Sequence, residues 1–304
     1  MPLGTDQRIA ATEDMVGKAH ATKTDTLNRL ALVALQNDGV LRGANYMING
    51  QCRLARTNAT TLTLSRFGGA NVLVKDADGW FIRTIASAGI TLANTGLVAS
   101  TLYYIYLYDS SGTLTLEAST TAHSTDTDTG VEIKTGDATR TLVGMVLTDG
   151  STPGQFVDTA TNIHVLSWFN RRAKAGNGAL TADRSTSSTS YVELNSETRV
   201  NFLTWGQNAV LYGASGAMGT NDTNYSAWVS VGFDGTTAEN VACRAGANTT
   251  NLNPFGLSGA KSGLSEGSHY ATLLGKSENA LGTASVRGNA DATLSTNLHV
   301  VTWG

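Results

Sequence analysis

The stretch Leu102-Tyr103-Tyr104-Ile105-Tyr106-Leu107-Tyr108 decides the fold class. Read with a period of two, Tyr103, Ile105 and Leu107 share one face, and Tyr104, Tyr106 and Tyr108 share the other. Aromatic and β-branched side chains suit a pleated surface. The first face reads as core. The tyrosine face has two readings. It is a second buried face, packed on another sheet or a symmetry mate with its hydroxyls reaching polar partners, or it is a platform for sugar rings.

The same texture continues on both sides. Thr61-Leu62-Thr63-Leu64-Ser65 and Thr113-Leu114-Thr115-Leu116-Glu117 alternate, as do Val229, Val231 and Phe233 with Ser230 and Gly232. Turn residues separate such runs at Asp76-Ala77-Asp78-Gly79, Asp109-Ser110-Ser111-Gly112, Thr148-Asp149-Gly150 and Asp234-Gly235. Short strands punctuated in this way build antiparallel sheets. Threonine is the commonest residue, glycine numbers 33, proline only 3, and 15% of residues are charged. Threonine suits a half-exposed pleat, and glycine supplies the positive φ of hairpin turns. No long amphipathic helix is visible beyond residue 40, which argues against a doubly wound α/β enzyme. A length of 304 residues predicts about two domains. The 41% hydrophobic share predicts packed cores.

Residues 1–40 stand apart. Leu27, Leu30, Ala31, Ala34 and Leu35 line one stripe of a short helix, capped by Thr24 or Asp25 and stopped at Gly39. That stripe packs on the chain's own β region, or on copies of itself or another protein. Leu27, Leu30 and Leu35 are thus candidate interface residues, as are Tyr104, Tyr106 and Tyr108. Residues 41–172 form a proximal β region, with hairpins over 61–84 and 101–117 and strands over 131–134, 141–147 and 164–169. Residues 173–190 are small and polar and read as a linker. Residues 191–304 form a distal β region of roughly seven or eight strands, the size of one sandwich or jelly roll. The fold class is therefore mainly β: a short N-terminal helical segment, then two antiparallel sandwich-like domains. No fixed-period repeat is visible, which weakens a parallel β-helix.

Several kinds of chemistry are disfavoured. No apolar run is long enough for a transmembrane helix, and the N-terminus carries no basic and apolar leader, so neither membrane insertion nor a secretory signal is expected. A net charge of −3 and no basic run beyond Arg171-Arg172 give no footprint for nucleic acid. Cys52 and Cys243 read as buried small hydrophobes. Gly263-Leu264-Ser265-Glu266-Gly267 has the spacing of a hydrolase nucleophile turn, but a strand rather than a helix follows it. Gly275-Lys276-Ser277 lacks the earlier glycine of a phosphate loop. Asp126 and Asp128 have calcium-loop spacing without the rest of the pattern. His20, His123, His164, His269 and His299 never fall at ligand spacing. No catalytic residue, metal or cofactor is expected, and the chain is read as a non-enzyme.

The distal loops are more suggestive. Asn221, Asp222, Asn224, Tyr225 and Trp228 lie within Gly219–Trp228. Asn and Asp pair with sugar hydroxyls, and Tyr or Trp stacks on a sugar face. A second such stretch runs from Ala247 to Phe255. Ordinary turn chemistry favours the same polar residues.

At the residues from Thr101-Leu102-Tyr103-Tyr104-Ile105-Tyr106 through Leu116-Glu117-Ala118-Ser119-Thr120, Gly130-Val131-Glu132-Ile133-Lys134, Thr141-Leu142-Val143-Gly144-Met145 and Leu166-Ser167-Trp168-Phe169-Asn170-Arg171-Arg172, the chain resembles a β module of tailed-bacteriophage fibre proteins. Gly267-Ser268-His269-Tyr270-Ala271-Thr272-Leu273-Leu274-Gly275 with Gly282-Thr283-Ala284 is similar to their terminal sandwich domains. The resemblance covers roughly residues 41–304 and carries no active-site residue. It implies a homotrimer in the virion, in a tail or head fibre or spike. Residues 1–40 would bind other virion proteins, such as portal, adaptor, tail or capsid, and the distal domain would meet a host cell-surface glycan. The chain is short for a fibre and lacks a long shaft. A decoration, collar or adaptor without a ligand is the alternative reading, and a polysaccharide depolymerase or esterase ranks last. Threefold self-association would hide apolar surface that one protomer leaves wet. Tyrosine rungs tucked inside a single subunit would remove that argument.

Overall fold

The structure is a computed structural model that describes residues 49–221, 224–245, 252–289 and 295–304. The predicted N-terminal helix with Leu27, Leu30 and Leu35 lies outside the described residues.

The first half of the described chain runs through β1 (Cys52–Asn58), β2 (Thr61–Arg66), β3 (Asn71–Asp76), β4 (Gly79–Thr84), β5 (Ile90–Ala93), β6 (Leu102–Ser110), β7 (Thr113–Ser119), β8 (His123–Thr125), β9 (Glu132–Lys134), β10 (Asp137–Leu147), β11 (Asn162–Ile163) and β12 (Val165–Ser167). Strands β1, β2 and β5 form a small sheet in the order β1-β2-β5, and β3 pairs only with β4. A larger sheet has the order β7-β6-β10-β9-β8, with β12 on β10. The hairpin expected over 61–84 is corrected: its turn at Asp78-Gly79 joins β3 to β4, while residues 61–66 pair with β1 and β5 instead. The turn at Ser111-Gly112 joins β6 to β7 as expected, with φ of 52° and 90° at those two residues. Consecutive positive φ values are what a tight hairpin turn matching the strand twist demands.

Strand β6 is paired on both edges, Tyr104 standing opposite Met145 on β10 and Ser119 on β7. Its two faces feed two cores. Tyr103, Ile105 and Leu107 pack with Leu54, Leu62, Leu64, Val72 and Val74. Tyr104 and Tyr106 join Leu142, Met145 and Leu166 in a second cluster with Phe202, Trp205, Val229 and Leu273. Tyr106 is 0% exposed and Tyr104 8%. The cover over these rungs comes from the same chain, so neither tyrosine is an exposed platform or a surface left over for a symmetry mate. Tyr108, nearer the open end, is half-buried with the Arg140 guanidinium 3.9 Å from its ring centroid.

The second half contains β13 (Ala173–Ala179), β14 (Ala182–Thr186), β15 (Val192–Glu193), β16 (Val200–Thr204), β17 (Val210–Thr220), β18 (Ala227–Phe233), β19 (Ala238–Ala245), β20 (Asn253–Lys261), β21 (Gly267–Ser277), β22 (Ala284–Asn289) and β23 (Asn297–Trp303). Together with β11 they form two six-stranded sheets. One has the order β11-β16-β21-β18-β19 with β15 on β21; the other has β13-β23-β17-β22-β14 with β20 on β17. Phe202, Val229, Val231 and Leu273 from the first meet Val210, Met218, Leu298 and Val300 from the second in one apolar cluster, the interdigitation of a sandwich. Among the named pairings only β11–β16 is parallel.

Residues 173–190 are not a linker. Strand β13 pairs with β23 along its full length, and β14 pairs with β22. The small residues that suggest flexibility are there for closeness. A Cβ on Gly176 would sit 2.4 Å from Val200 Cγ1, and one on Gly178 would sit 2.4 Å from the Thr198 carbonyl oxygen. Backbone approach of this kind needs glycine.

Candidate functional site

The first sheet of the sandwich sets up the site. On β18, Ala227, Val229, Val231 and Phe233 enter the core, which leaves Trp228, Ser230 and Gly232 on the opposite face. On β21, Ala271 and Leu273 enter the core, which puts Thr272, Leu274 and Lys276 on that opposite face. Register pairs Trp228 with Lys276, and Val192 with Gly275, so Tyr191 falls beside Lys276 on the other side. Three neighbouring strands therefore present a row: Tyr191, Lys276, Trp228. The Lys276 ammonium lies 4.9 Å from the Tyr191 ring centroid and 5.0 Å from that of Trp228. All three side chains are half-buried. Burial raises the Tyr191 phenol above its ordinary range.

The loop before Trp228 is braced from within. Asn221 Oδ1 accepts the Thr283 amide at 2.7 Å. Tyr225 packs on Gly282, where an added Cβ would lie 2.9 Å from its ring. Asn224 is exposed, and Asp222 lies outside the described residues. Of the sequence-predicted set, Asn221 and Tyr225 thus tie the β17–β18 connection to the β21–β22 connection, while Trp228 stands on the sheet face. Asn253, Pro254 and Phe255 of the second suggested loop begin β20. Tyr191 is not a sequence-predicted site residue, and Lys276 enters the sequence reading only within a rejected phosphate-loop pattern. Only the cross-strand register places them with Trp228, and register is not written in any one segment.

A second aromatic cluster closes the joint between the two cores. His123 Nδ1 lies 2.5 Å from Glu132 Oε2, and its Nε2 lies 3.1 Å from both Glu266 oxygens. Tyr104 donates its hydroxyl proton to Glu266 Oε1 at 2.8 Å. Trp168 and Trp205 meet edge to face at 4.9 Å, and the His123 ring lies 5.5 Å from Trp168 and 6.2 Å from Trp205. The Arg171 guanidinium stacks 4.1 Å from the Trp168 centroid. The hydrogen bond to Glu266 raises the His123 pKa; burial opposes this and Glu132 adds to it. For Glu266, burial pushes upward, but the hydrogen bonds from His123 and Tyr104 prevail and lower it.

The remaining sequence motifs resolve into structure. His269 Nε2 lies 2.9 Å from the backbone carbonyl of Ser265, and its Nδ1 lies 2.6 Å from Asp234. The ring is thereby spent on a carbonyl rather than on activating a hydroxyl. Asp126 accepts from the Thr129 hydroxyl and from the amides of Asp128 and Thr129, a self-contained turn. Among the described residues no group of three or more His, Cys, Asp or Glu side chains is placed to hold a metal. Cys52 is buried, and that burial pushes its thiol up to about 12.

No family model matches the chain, and no curated protein matches it. Among solved structures it is similar to the infectious bursal disease virus VP2 subviral particle, with 12% identity and a TM-score of 0.29 over 83% of this chain and 59% of that one. The chain thus spans about three fifths of that protein. It is also similar to the Gx strain of the same virus, with 13% identity and a TM-score of 0.26 over 83% of this chain and 77% of that one. Similarity at this level assigns the chain to no family.

Proposed function

We propose that the chain is a structural component of a virion, a fibre or spike like those of tailed bacteriophages, which contacts a host-surface glycan through its distal sandwich. Residues 1–40 would join it to other virion proteins. The observation that carries the glycan reading is the half-exposed Trp228 on an otherwise well-packed sheet face, beside a braced polar loop. A flat aromatic ring held by a rigid strand stacks on a sugar at little entropic cost. Single contacts of this kind are weak, and three copies in a trimer would multiply them. Self-association itself rests on the Leu27, Leu30 and Leu35 seam and on the fibre resemblance, because Tyr104 and Tyr106 are satisfied inside one chain.

The experiment is a glycan array probed with the full chain, wild type and Trp228→Ala. Reproducible binding lost in the variant supports the reading. A silent array replaces it with the alternative, a decoration, collar or adaptor with no ligand of its own. The internal engagement of Asn221 and Tyr225 favours that alternative. Sedimentation showing a monomer at micromolar concentration would remove the trimer.

A further inference from the structure

We propose that Tyr191, Lys276 and Trp228 form a subsite for a carboxylate-bearing sugar, such as a uronic or sialic acid. This rests on the glycan reading above and narrows it to one ligand class. Of the other described lysines, Lys134, Lys174 and Lys261 each hold a carboxylate of this chain, Glu117, Asp158 and Glu239, at 2.5, 2.5 and 2.7 Å, while Lys75 lies 5.7 Å from the single ring of Trp80. Lys276 has no carboxylate partner among the described residues. The acid two positions along, Glu278, is occupied with the Ser226 amide at 3.0 Å. The ammonium is instead held between two aromatic rings at nearly equal distance.

That arrangement has a chemical preference. Adjacent strands lie about 4.8 Å apart, so rings on the two strands flanking β21 sit about 10 Å apart with the cation between them. A sugar stacked on either ring brings a carboxylate on its own ring within reach of the ammonium. The pair would form in a partly desolvated place, where charge-assisted bonds are strong. A neutral sugar on the same rings would cover the ammonium and give it no charged partner, which costs binding. The preference therefore comes from the Lys276 ammonium, which meets no carboxylate among the described residues, and the aromatic pair supplies affinity without regard to charge.

The test uses the full chain and four probes: oligogalacturonate, oligosialic acid, and each of the two after reduction of its carboxyl groups to alcohols. Binding is measured by calorimetry at 0.05 and 0.5 M NaCl. At least one acidic oligomer is expected to bind about tenfold or more tightly than its reduced form, with the difference shrinking at high salt. Lys276→Gln is expected to erase the difference and Lys276→Arg to keep it, while Trp228→Ala weakens acidic and reduced forms together. Thermal melts of the variants establish that each is folded. Equal binding of acidic and reduced forms would overturn the proposal and leave the glycan reading standing. So would binding confined to neutral sugars on the array. Binding to no glycan at all would overturn both.

Discussion

Two aromatic clusters in this molecule are built from nearly the same parts and meet opposite fates. At the joint between the cores, Trp168, Trp205, Tyr104 and His123 surround charges that are answered from within the chain: Glu266 accepts from Tyr104, and His123 bridges Glu132 and Glu266. On the distal sheet, Tyr191 and Trp228 flank a lysine that no carboxylate of the described chain meets. The first cluster consumes its own polarity and holds two modules together. The second holds its cation between two rings, with no carboxylate among the described residues. Composition does not separate a brace from a binding face; enclosure and internal pairing do.

The sharpest way to break the comparison is to empty the joint. Trp205 is 0% exposed, and Trp205→Ala is expected to lose about 3–5 kcal/mol of stability, read from urea denaturation of the full chain. A loss below 1 kcal/mol would show that the joint is not a structural centre. Next in size is Glu266→Ala, which strips a partner from both Tyr104 and His123. The expected cost is about 2–3 kcal/mol, with Glu266→Gln retaining part of it because the amide oxygen can still accept from Tyr104.

A smaller effect lies in the pH dependence. His123 is raised above its ordinary 6.5 when folded, so its contribution is complete below that value and is lost as pH rises through the folded pKa. Glu266 is lowered below 4.5, so its contribution holds above that value and is lost as pH falls through the folded pKa. His164 acts against acid too. Burial lowers it to about 4, so between 6.5 and that value the unfolded chain takes a proton that the folded chain refuses. Stability is expected to fall on both sides of a plateau. His123→Gln is expected to flatten the alkaline arm and to weaken the acid arm as well, because the His123 charge helps hold Glu266 low; an unchanged alkaline arm would show that another group carries it.

The smallest expected effect on stability is on the open face. Trp228→Ala is expected to change stability by no more than about 1 kcal/mol, although under the proposed function it would abolish glycan binding. A large loss of stability there would make Trp228 a brace as well and erase the contrast.

The alternation in β6 was legible because period two is a local property, but its double-sided apolarity left open a covered face or a platform. What the tyrosine face meets was not legible, since Tyr104 pairs with Glu266, 162 positions away. Strand β18, Ala227–Phe233, was readable residue for residue. Strands β13 and β20 were missed because their small and polar residues carry little hydrophobic signal; Gly176 and Gly178 are small so that Val200 and Thr198 can come close. The joint was hidden for a related reason. His123 and Glu266 are separated by 143 positions, and nothing in either neighbourhood announces the other.

The path between the modules has a consequence for inheritance. After β10 in the proximal sheet, the chain gives β11 to the distal sandwich, returns to lay β12 on β10, and leaves again for β13. Lys174 on β13 reaches back to Asp158 and to the carbonyl of Val165. A recombination event that swapped the distal half at residue 173 or 191 would orphan β11 on the wrong parent and, at 191, strip β13 and β14 as well. Such chimaeras are expected to be insoluble. The two halves should therefore travel through evolution as a single cassette.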